Sequence, residues 1–126
     1  MSTFVLWIDS REAKIFELVP SDVKKMHMKS HGHKHHTHPH GKQEAGQHHP
    51  DSEKFFKEVA ETISTAKQVL VMGPGEGKVH FKAYVEKHFK GTLAKVLVGM
   101  ETVDHPTENQ ILEKARSFFK EYDLFH

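Results

Sequence analysis

Hydrophobic and polar positions at the start of the chain follow the patterns of β-strands. Residues 3–9 (TFVLWID) form an apolar run rich in β-forming residues, which is typical of a strand buried on both faces. Residues 13–19 (AKIFELV) alternate between apolar and polar, the period of a half-buried strand. After a turn at 20–22, residues 23–29 are expected to form a third strand. The opening of the chain therefore predicts three consecutive strands joined by short turns.

From residue 51 onward the chain alternates between helical and strand patterns. Asp51 is the expected N-cap of the first helix, and Thr107 and Gln110 predict a capping box at the start of the last one. The apolar face of the middle helix includes Val79, and Gly91 is expected as the C′ residue of that helix. The predicted elements are a helix over 51–66, a strand over 68–72, a helix over 78–90, a strand over 94–100 and a final helix after 107.

This order of elements predicts an α/β fold. The three opening strands should be antiparallel neighbours because tight turns join them. The two later strands are each entered through a helix and should run parallel to the first. Placing them beside the first strand gives a mixed five-stranded sheet in the order 3-2-1-4-5, with three helices covering both faces. That arrangement is ribonuclease-H-like.

Length and composition favour one ordinary globular domain. The chain has 126 residues, so a single domain over 1–126 is expected. Hydrophobic residues make up 37% and charged residues 28%, which separates the chain from disordered and fibrous classes. Cysteine is absent, which excludes disulfides, thiolate metal sites and cysteine nucleophiles. Because no stretch resembles a signal peptide or a membrane span, a soluble cytoplasmic protein with no membrane partner is the default expectation.

Charge is balanced over the whole chain, but histidine is concentrated in one segment. The 18 basic and 17 acidic residues leave a net charge of +1, so the chain lacks the overall positive charge that would indicate nucleic-acid binding. Most of the 13 histidines lie between His27 and His49. Residues 30–50 (SHGHKHHTHPHGKQEAGQHHP) hold no aliphatic residue larger than Ala45, and we predict a long mobile loop there because so little apolar surface cannot offset ordering. The isolated histidines expected to be ordinary surface or packed residues are His80, His88 and His105.

The imidazoles of this loop are the strongest candidates for chemistry. His31, His33 and the histidines after them alternate, so in an extended backbone neighbouring pairs share a face and two can reach one ion. Ni, Cu, Co and Zn accept imidazole ligands. Met26 and Met28 on either side of His27 would add soft ligands for Cu(I), although their position in a strand favours the core. The alternative is a solvated loop that binds metal in vitro without physiological use. The candidate metal ligands are His31, His33, His35, His36, His38, His40, His48 and His49.

Asp9 raises the question of a nuclease. It ends the first strand, where a two-metal site on a ribonuclease-H-like frame would begin, and such a site needs several converging carboxylates. The fourth strand ends in Met72 and Gly73 without a second carboxylate, and Glu76 lies beyond on the loop. We therefore expect Asp9 to be a turn or capping carboxylate. A hydrolase or nuclease is the less favoured alternative.

The stretch GPGEGK (73–78) resembles a phosphate loop but lacks the required spacing. Met72 stands where the first glycine is needed, and Val79 stands where Ser or Thr is needed. A glycine-rich turn before a helix can still hold an anion through backbone N–H groups. The alternative is a tight strand-to-helix turn. The candidate anion or nucleic-acid contacts, all on turns, strand starts or the loop, are Arg11, Lys14, Lys42, Gly75, Gly77 and Lys78.

Four segments resemble the central domain of archaeal and eukaryotic class-one release factors and of Pelota. They are VLWIDSREAKIFEL (5–18), FFKEVAETI (55–63), VLVMGPGEGKVHF (69–81) and KVLVGMETVD (95–104). More closely, the chain resembles stand-alone bacterial proteins of this lineage, often named translational machinery proteins. The resemblance spans nearly the whole chain. It implies the same ribonuclease-H-like fold, with the ribosome or RNA as a partner.

The loop that carries the catalytic motif in the release factors has a different sequence in this chain. In those proteins the loop between the third strand and the first helix carries GGQ, whereas this loop holds Ala45, Gly46 and Gln47 among histidines. The resemblance therefore does not carry over termination activity. The favoured hypothesis is a non-catalytic, ribosome- or RNA-associated protein whose loop binds a divalent metal. A metal-buffering or metal-sensing protein with no ribosomal role is the alternative.

Overall fold

The computed structural model describes residues 2–19, 22–29 and 50–125, and the predicted mobile loop lies almost entirely outside these ranges. Within these ranges the chain forms five strands, three helices and one 3-10 turn. In chain order these are β1 (Ser2–Ile8), β2 (Glu12–Val19), β3 (Asp22–Lys29), α1 (Pro50–Thr62), β4 (Ala66–Gly73), α2 (Gly77–His88), the 3-10 turn (Leu93–Val96), β5 (Leu97–Thr102) and α3 (Glu108–Phe125).

The strands form one mixed sheet in the order β3-β2-β1-β4-β5. The pairs β1–β2 and β2–β3 are antiparallel, and β1–β4 and β4–β5 are parallel. The predicted ribonuclease-H-like arrangement is therefore confirmed, including the central place of β1. It follows from local features: short turns force antiparallel neighbours, and each helical crossover returns the chain parallel to the first strand.

The core consists of two layers, one on each face of the sheet. Alternate residues of β1 belong to different layers because successive side chains of a strand point to opposite faces. Leu6 and Ile8 pack in the layer beneath α1 and α2, and Val5 and Trp7 pack in the layer beneath α3. All four residues are fully or almost fully buried, as their continuous apolar run predicts. The helices cover both faces, as expected.

The start of α3 confirms the predicted capping box. The Thr107 N–H donates to Gln110 Oε1 at 2.9 Å, and the Gln110 N–H donates to Thr107 Oγ1 at 3.1 Å. These reciprocal bonds satisfy two donors that a helix start leaves without intrahelical partners. None of the helices in the described ranges is long and apolar enough to cross a membrane.

Two expectations for α2 are wrong. Val79 is 49% exposed, since the helix buries Lys78, Phe81 and Val85 instead. The helix also ends at His88 rather than running on to Gly91. The carbonyl of the C-cap residue Phe89 accepts hydrogen bonds from the backbone N–H groups of Thr92 and Ala94, so Gly91 lies inside the turn that follows the helix.

Other boundaries differ by a few residues. The first helix begins at Pro50, one residue before the expected N-cap Asp51, and proline suits a first helical position because it lacks the N–H that would be unpaired there. That helix ends at Thr62, four residues earlier than expected. Residues 93–96 form a 3-10 turn, so β5 occupies 97–102 rather than 94–100.

Candidate functional site

The candidate site lies where β1 and β4 end side by side. Because these strands are parallel neighbours, the turn after β1 and the glycine-rich loop after β4 meet at the same edge of the sheet. Together with α1 and the start of α2 they enclose a shallow pocket of about 350 Å³. Its lining residues are Asp9, Ser10, Phe56, Pro74, Gly75, Glu76, Gly77 and His80.

Asp9 organises the β1–β2 turn. Its Oδ1 accepts hydrogen bonds from the backbone N–H groups of Arg11 and Glu12, both at 2.8 Å. The Asp9 N–H in turn donates to the Glu12 carbonyl at 3.0 Å. Aspartate side chains commonly hold turns in this way. The expectation that Asp9 is a turn carboxylate is confirmed.

Two glycines allow the loop after β4 to approach this turn closely. A Cβ atom at Gly77 would lie 2.8 Å from the backbone of Asp9, well inside van der Waals contact. Gly75 has φ +51°, a left-handed conformation that glycine adopts without steric cost. Both glycines that the sequence singled out are therefore required by backbone geometry, which is the role of a tight strand-to-helix turn.

Lys78 has a structural position in the same loop. Its side chain is buried, with the residue only 6% exposed, and its Nζ donates to the Gly75 carbonyl at 2.6 Å. The ammonium therefore braces the loop from inside. This bond satisfies the polar head of a buried cation, which burial would otherwise penalise heavily.

The charges around the pocket include both signs. The carboxylates of Asp9 and Glu76 line it, and His80 Nε2 lies 3.7 Å from Glu76 Oε1. Glu76 is the N-cap residue of α2 but makes no side-chain capping bond, so the backbone N–H groups of the first turn have no side-chain cap. A helix start of this kind can attract an anion, and the two carboxylates oppose that attraction.

Of the other predicted cation contacts, neither Arg11 nor Lys14 lines the pocket. Arg11 is exposed on the adjoining turn. Lys14 lies on β2, with Nζ 5.3 Å from the centre of the Trp7 ring, and does not line the pocket. Lys42 lies outside the described residues. The structure thus brings together Gly75, Gly77 and Lys78 and places Arg11 and Lys14 elsewhere.

No metal centre exists within the described ranges. They contain no group of three or more His, Asp or Glu side chains that could hold an ion. The eight candidate ligands between His31 and His49 lie outside those ranges. Alternation along β3 places Met26 and Met28 on the face opposite to His27, and Met28 packs against the core, as its strand position suggested.

The isolated histidines are ordinary surface residues, as predicted. His80 faces Glu76, as described above, and the centre of the exposed His88 ring lies 4.5 Å from that of Tyr84, with the two ring planes tilted by 37°. His105 packs its ring 5.5 Å from that of Trp7 and forms a 2.9 Å contact with Asp104 Oδ1.

Sequence reasoning did not single out Tyr84 or the ion pairs of β3. Burial raises the pKa of Tyr84 above its usual value, and the nearby charges of Glu53 and Glu61 add to the effect. On the other side of the molecule, Lys25 Nζ lies 3.0 Å from Glu108 Oε1, although the two residues are 83 positions apart. No local sequence pattern predicts a contact between residues so far apart along the chain.

No protein-family model and no curated protein matches the chain. Solved structures do match. Pelota from Archaeoglobus fulgidus superposes with a TM-score of 0.59 and 18% identity, covering 92% of this chain and 31% of its own. Pelota from Thermoplasma acidophilum gives a TM-score of 0.62 and 16% identity, covering 90% of this chain and 31% of its own. The archaeal translation termination factor aRF1 gives 0.54 and 17%, covering 98% of this chain and 40% of its own.

These similarities concern the fold. The sequence identities are low, and the chain spans between 31% and 40% of the length of the Pelota and aRF1 structures. The match nevertheless extends over at least 90% of the present chain. The chain therefore has a fold like that of the central domain of Pelota and aRF1, as the sequence resemblance implied.

Proposed function

We propose that this protein is a non-catalytic member of the release-factor-like lineage that associates with the ribosome or its RNA. The observation that carries the proposal is the fold match to Pelota and to aRF1, the latter a translation termination factor, over nearly the whole chain. The sequence also resembles stand-alone bacterial translational machinery proteins. A cytoplasmic location follows from this role.

The chemistry of the candidate site supports a non-catalytic role. The carboxylate of Asp9, the best nuclease candidate, is engaged in holding its own turn. Lys78, the best phosphate-loop candidate, braces its own loop. Two residues that would have to reach a substrate are thus committed to local structure.

Contact with RNA would use basic residues outside the braced loop. Arg11 is exposed on the β1–β2 turn, and Lys42 belongs to the segment between β3 and α1. Such contacts release counterions from phosphates, so binding should weaken as salt rises. Lys78 is unsuitable as a test position because reversing a buried charge would disturb the loop itself.

Sucrose-gradient co-sedimentation with ribosomes at low salt tests the proposal. The wild-type protein should appear in ribosomal fractions and leave them at higher salt. The double variant Arg11→Glu with Lys42→Glu should shift to the top of the gradient, whereas Lys120→Glu, at an exposed position of α3, should sediment like wild type. Absence of the wild-type protein from ribosomal fractions at low salt would refute ribosome association.

A second candidate function is divalent-metal binding by the histidine-rich segment. Its motivation is the concentration of imidazoles between His31 and His49, many of them in alternating positions. Several near-equivalent ligand pairs would give capacity without selectivity among Ni, Zn, Cu and Co. Binding should weaken as pH falls through about 6.5, because protons compete for imidazole.

Calorimetric titration with Ni²⁺ or Zn²⁺ tests this second function. Replacing the six residues His31, His33, His35, His36, His38 and His40 by Ala should abolish the binding heat and leave the melting temperature of the metal-free protein nearly unchanged. The matched control replaces His80, His88 and His105 by Ala and should retain binding. Equal metal uptake by the six-residue variant would exclude these histidines as the main site.

A further inference from the structure

Strand β3 forms one edge of the sheet. It pairs with β2 on one side, and none of the described strands pairs with its other side. Its eight residues are mostly exposed, with only Val23 and Met28 half-buried. An edge of this kind presents a row of backbone N–H and C=O groups that another strand can pair with.

The two faces of β3 differ in chemistry. Lys25, His27 and Lys29 point to the face that α3 covers in part, as the contact between Lys25 and Glu108 shows. The opposite face carries Met26 and Met28 and, nearer the start of the strand, Lys24. Met28 packs against the core beneath α1, and Met26 is 50% exposed. One face of the strand is therefore cationic, and the other has accessible apolar side chains.

Carboxylates already occupy part of the cationic face. Lys25 Nζ lies 3.0 Å from Glu108 Oε1, and His27 Nε2 lies 2.6 Å from Glu12 Oε1. Both pairs are partly exposed. By contrast, Lys29 makes no ion pair within the described part of the chain, and neither does Lys14, which lies directly opposite His27 on β2. This face therefore already pairs with carboxylates, and Lys14 and Lys29 are available to pair with further ones.

The lysines of β3 also act against pairing with a second copy of this chain. Two such strands side by side would bring like charges together, which destabilises cross-strand pairs. Lysine on an edge strand is a common means of preventing self-association. The same charges favour a strand of opposite charge.

We propose that β3 binds an extended acidic segment of another protein by strand addition. The added strand would place carboxylates toward Lys25, His27 and Lys29 and apolar side chains toward Met26 and Met28. Methionine suits such contacts because its flexible side chain adapts to different partners. The proposal is independent of ribosome association, since it rests on the edge strand alone.

An acidic peptide fits this edge better than RNA does. Glu12 and Glu108 border the cationic face and would repel a chain of phosphates. An RNA backbone also has no alternating N–H and C=O groups with which to extend the β-ladder. The apolar side chains of Met26 and Met28 would remain without a matching surface.

The test uses a synthetic heptapeptide with alternating glutamate and valine as the probe. Hydrogen exchange followed by NMR should show alternate backbone amides of β3 becoming protected when the full-length protein binds the peptide, and those of β5 unchanged. A peptide of the same composition with its glutamates placed in adjacent pairs should bind at least about tenfold more weakly, since half of its carboxylates would face the methionines.

Variants of the protein separate charge from backbone pairing. Lys25→Glu with Lys29→Glu should weaken binding by about tenfold or more, and Lys120→Glu should leave it unchanged. Should the double variant fail to fold, peptides N-methylated at alternate residues give a second test with wild-type protein. Methylation in one register removes the N–H groups that face β3 and so blocks the backbone hydrogen bonds, and methylation in the other register leaves them. Both peptides keep the same charges. Equal binding of these two peptides, unchanged exchange of β3 amides, or binding of a uridine oligonucleotide in place of the peptide would each overturn the proposal.

Discussion

Strands β1 and β3 have nearly the same length, seven and eight residues, yet they lie in opposite environments. β1 lies between two partners, and its residues from Phe4 to Ile8 are buried. Among the described strands β3 has one partner, and most of its residues are exposed. The difference shows that place in the sheet, more than strand propensity, decides what a strand contributes: β1 contributes stability, and β3 offers a surface.

The two strands also end differently. β1 runs into a turn held by Asp9, and the loop after β4 packs against that turn so closely that Gly77 has no room for a side chain. β3 runs into the histidine-rich segment, which lies outside the described residues. Substitutions around β1 should therefore affect the free energy of unfolding, and those on β3 should affect binding.

The largest effect is expected for Trp7→Ala in β1. The indole is buried, its Nε1 donates to the Asp104 carbonyl at 3.1 Å, and Lys14 and His105 pack near its ring. Removing it leaves a cavity, which should lower the free energy of unfolding by about 3–5 kcal/mol. Urea denaturation followed by far-UV circular dichroism measures this loss, because Trp7 is the only tryptophan and its fluorescence disappears with it. A loss comparable to that of a surface substitution would contradict the assignment of β1 as the centre of the core.

A smaller loss is expected for Gly77→Ala. The new methyl group would lie 2.8 Å from Asp9 backbone atoms, so the loop or the turn must move, at a cost of about 1–3 kcal/mol. Gly91→Ala is the matched control, because nothing lies within 4 Å of a Cβ atom there. The same urea experiment compares the two variants. Equal stabilities would show that the contact between Gly77 and the Asp9 turn accommodates a side chain after all.

Asp9→Ala should cost about 1 kcal/mol, since two backbone N–H groups of the turn lose their acceptor. Asp9→Asn keeps an acceptor oxygen and should be nearly neutral. Thermal melting of the two variants side by side distinguishes a turn-holding carboxylate from one whose charge matters. If Asn is as destabilising as Ala, the charge of Asp9 contributes more than its hydrogen bonds.

The smallest effect is expected for Met26→Ala in β3. Because Met26 is half-exposed, its truncation should change the free energy of unfolding by no more than about 0.5 kcal/mol. It is the counterpart of Trp7→Ala, a large-to-alanine substitution on an edge strand instead of a central one. A loss of several kcal/mol would mean that Met26 is covered in solution, and the contrast between the strands would not hold.

The candidate site was predictable only in part. The role of Asp9 could be inferred because a carboxylate followed by a short polar break commonly holds a turn. Gly75 and Gly77 were correctly placed in a strand-to-helix turn. The burial of Lys78 was not predictable, since a lysine after a glycine-rich turn is equally compatible with an accessible position. The histidine ligands stay predictions, because they lie outside the described residues.

By itself the sequence determined the elements and their order in the sheet. Short turns, helical crossovers and the capping box at Thr107 act between residues close along the chain, so their signals can be read locally. Only the tertiary structure decided which residues of α2 are buried, why Gly77 must be glycine, and that Lys25 meets Glu108. Each of these depends on segments far apart in sequence that meet only after the sheet and helices have packed, and no local pattern encodes that geometry.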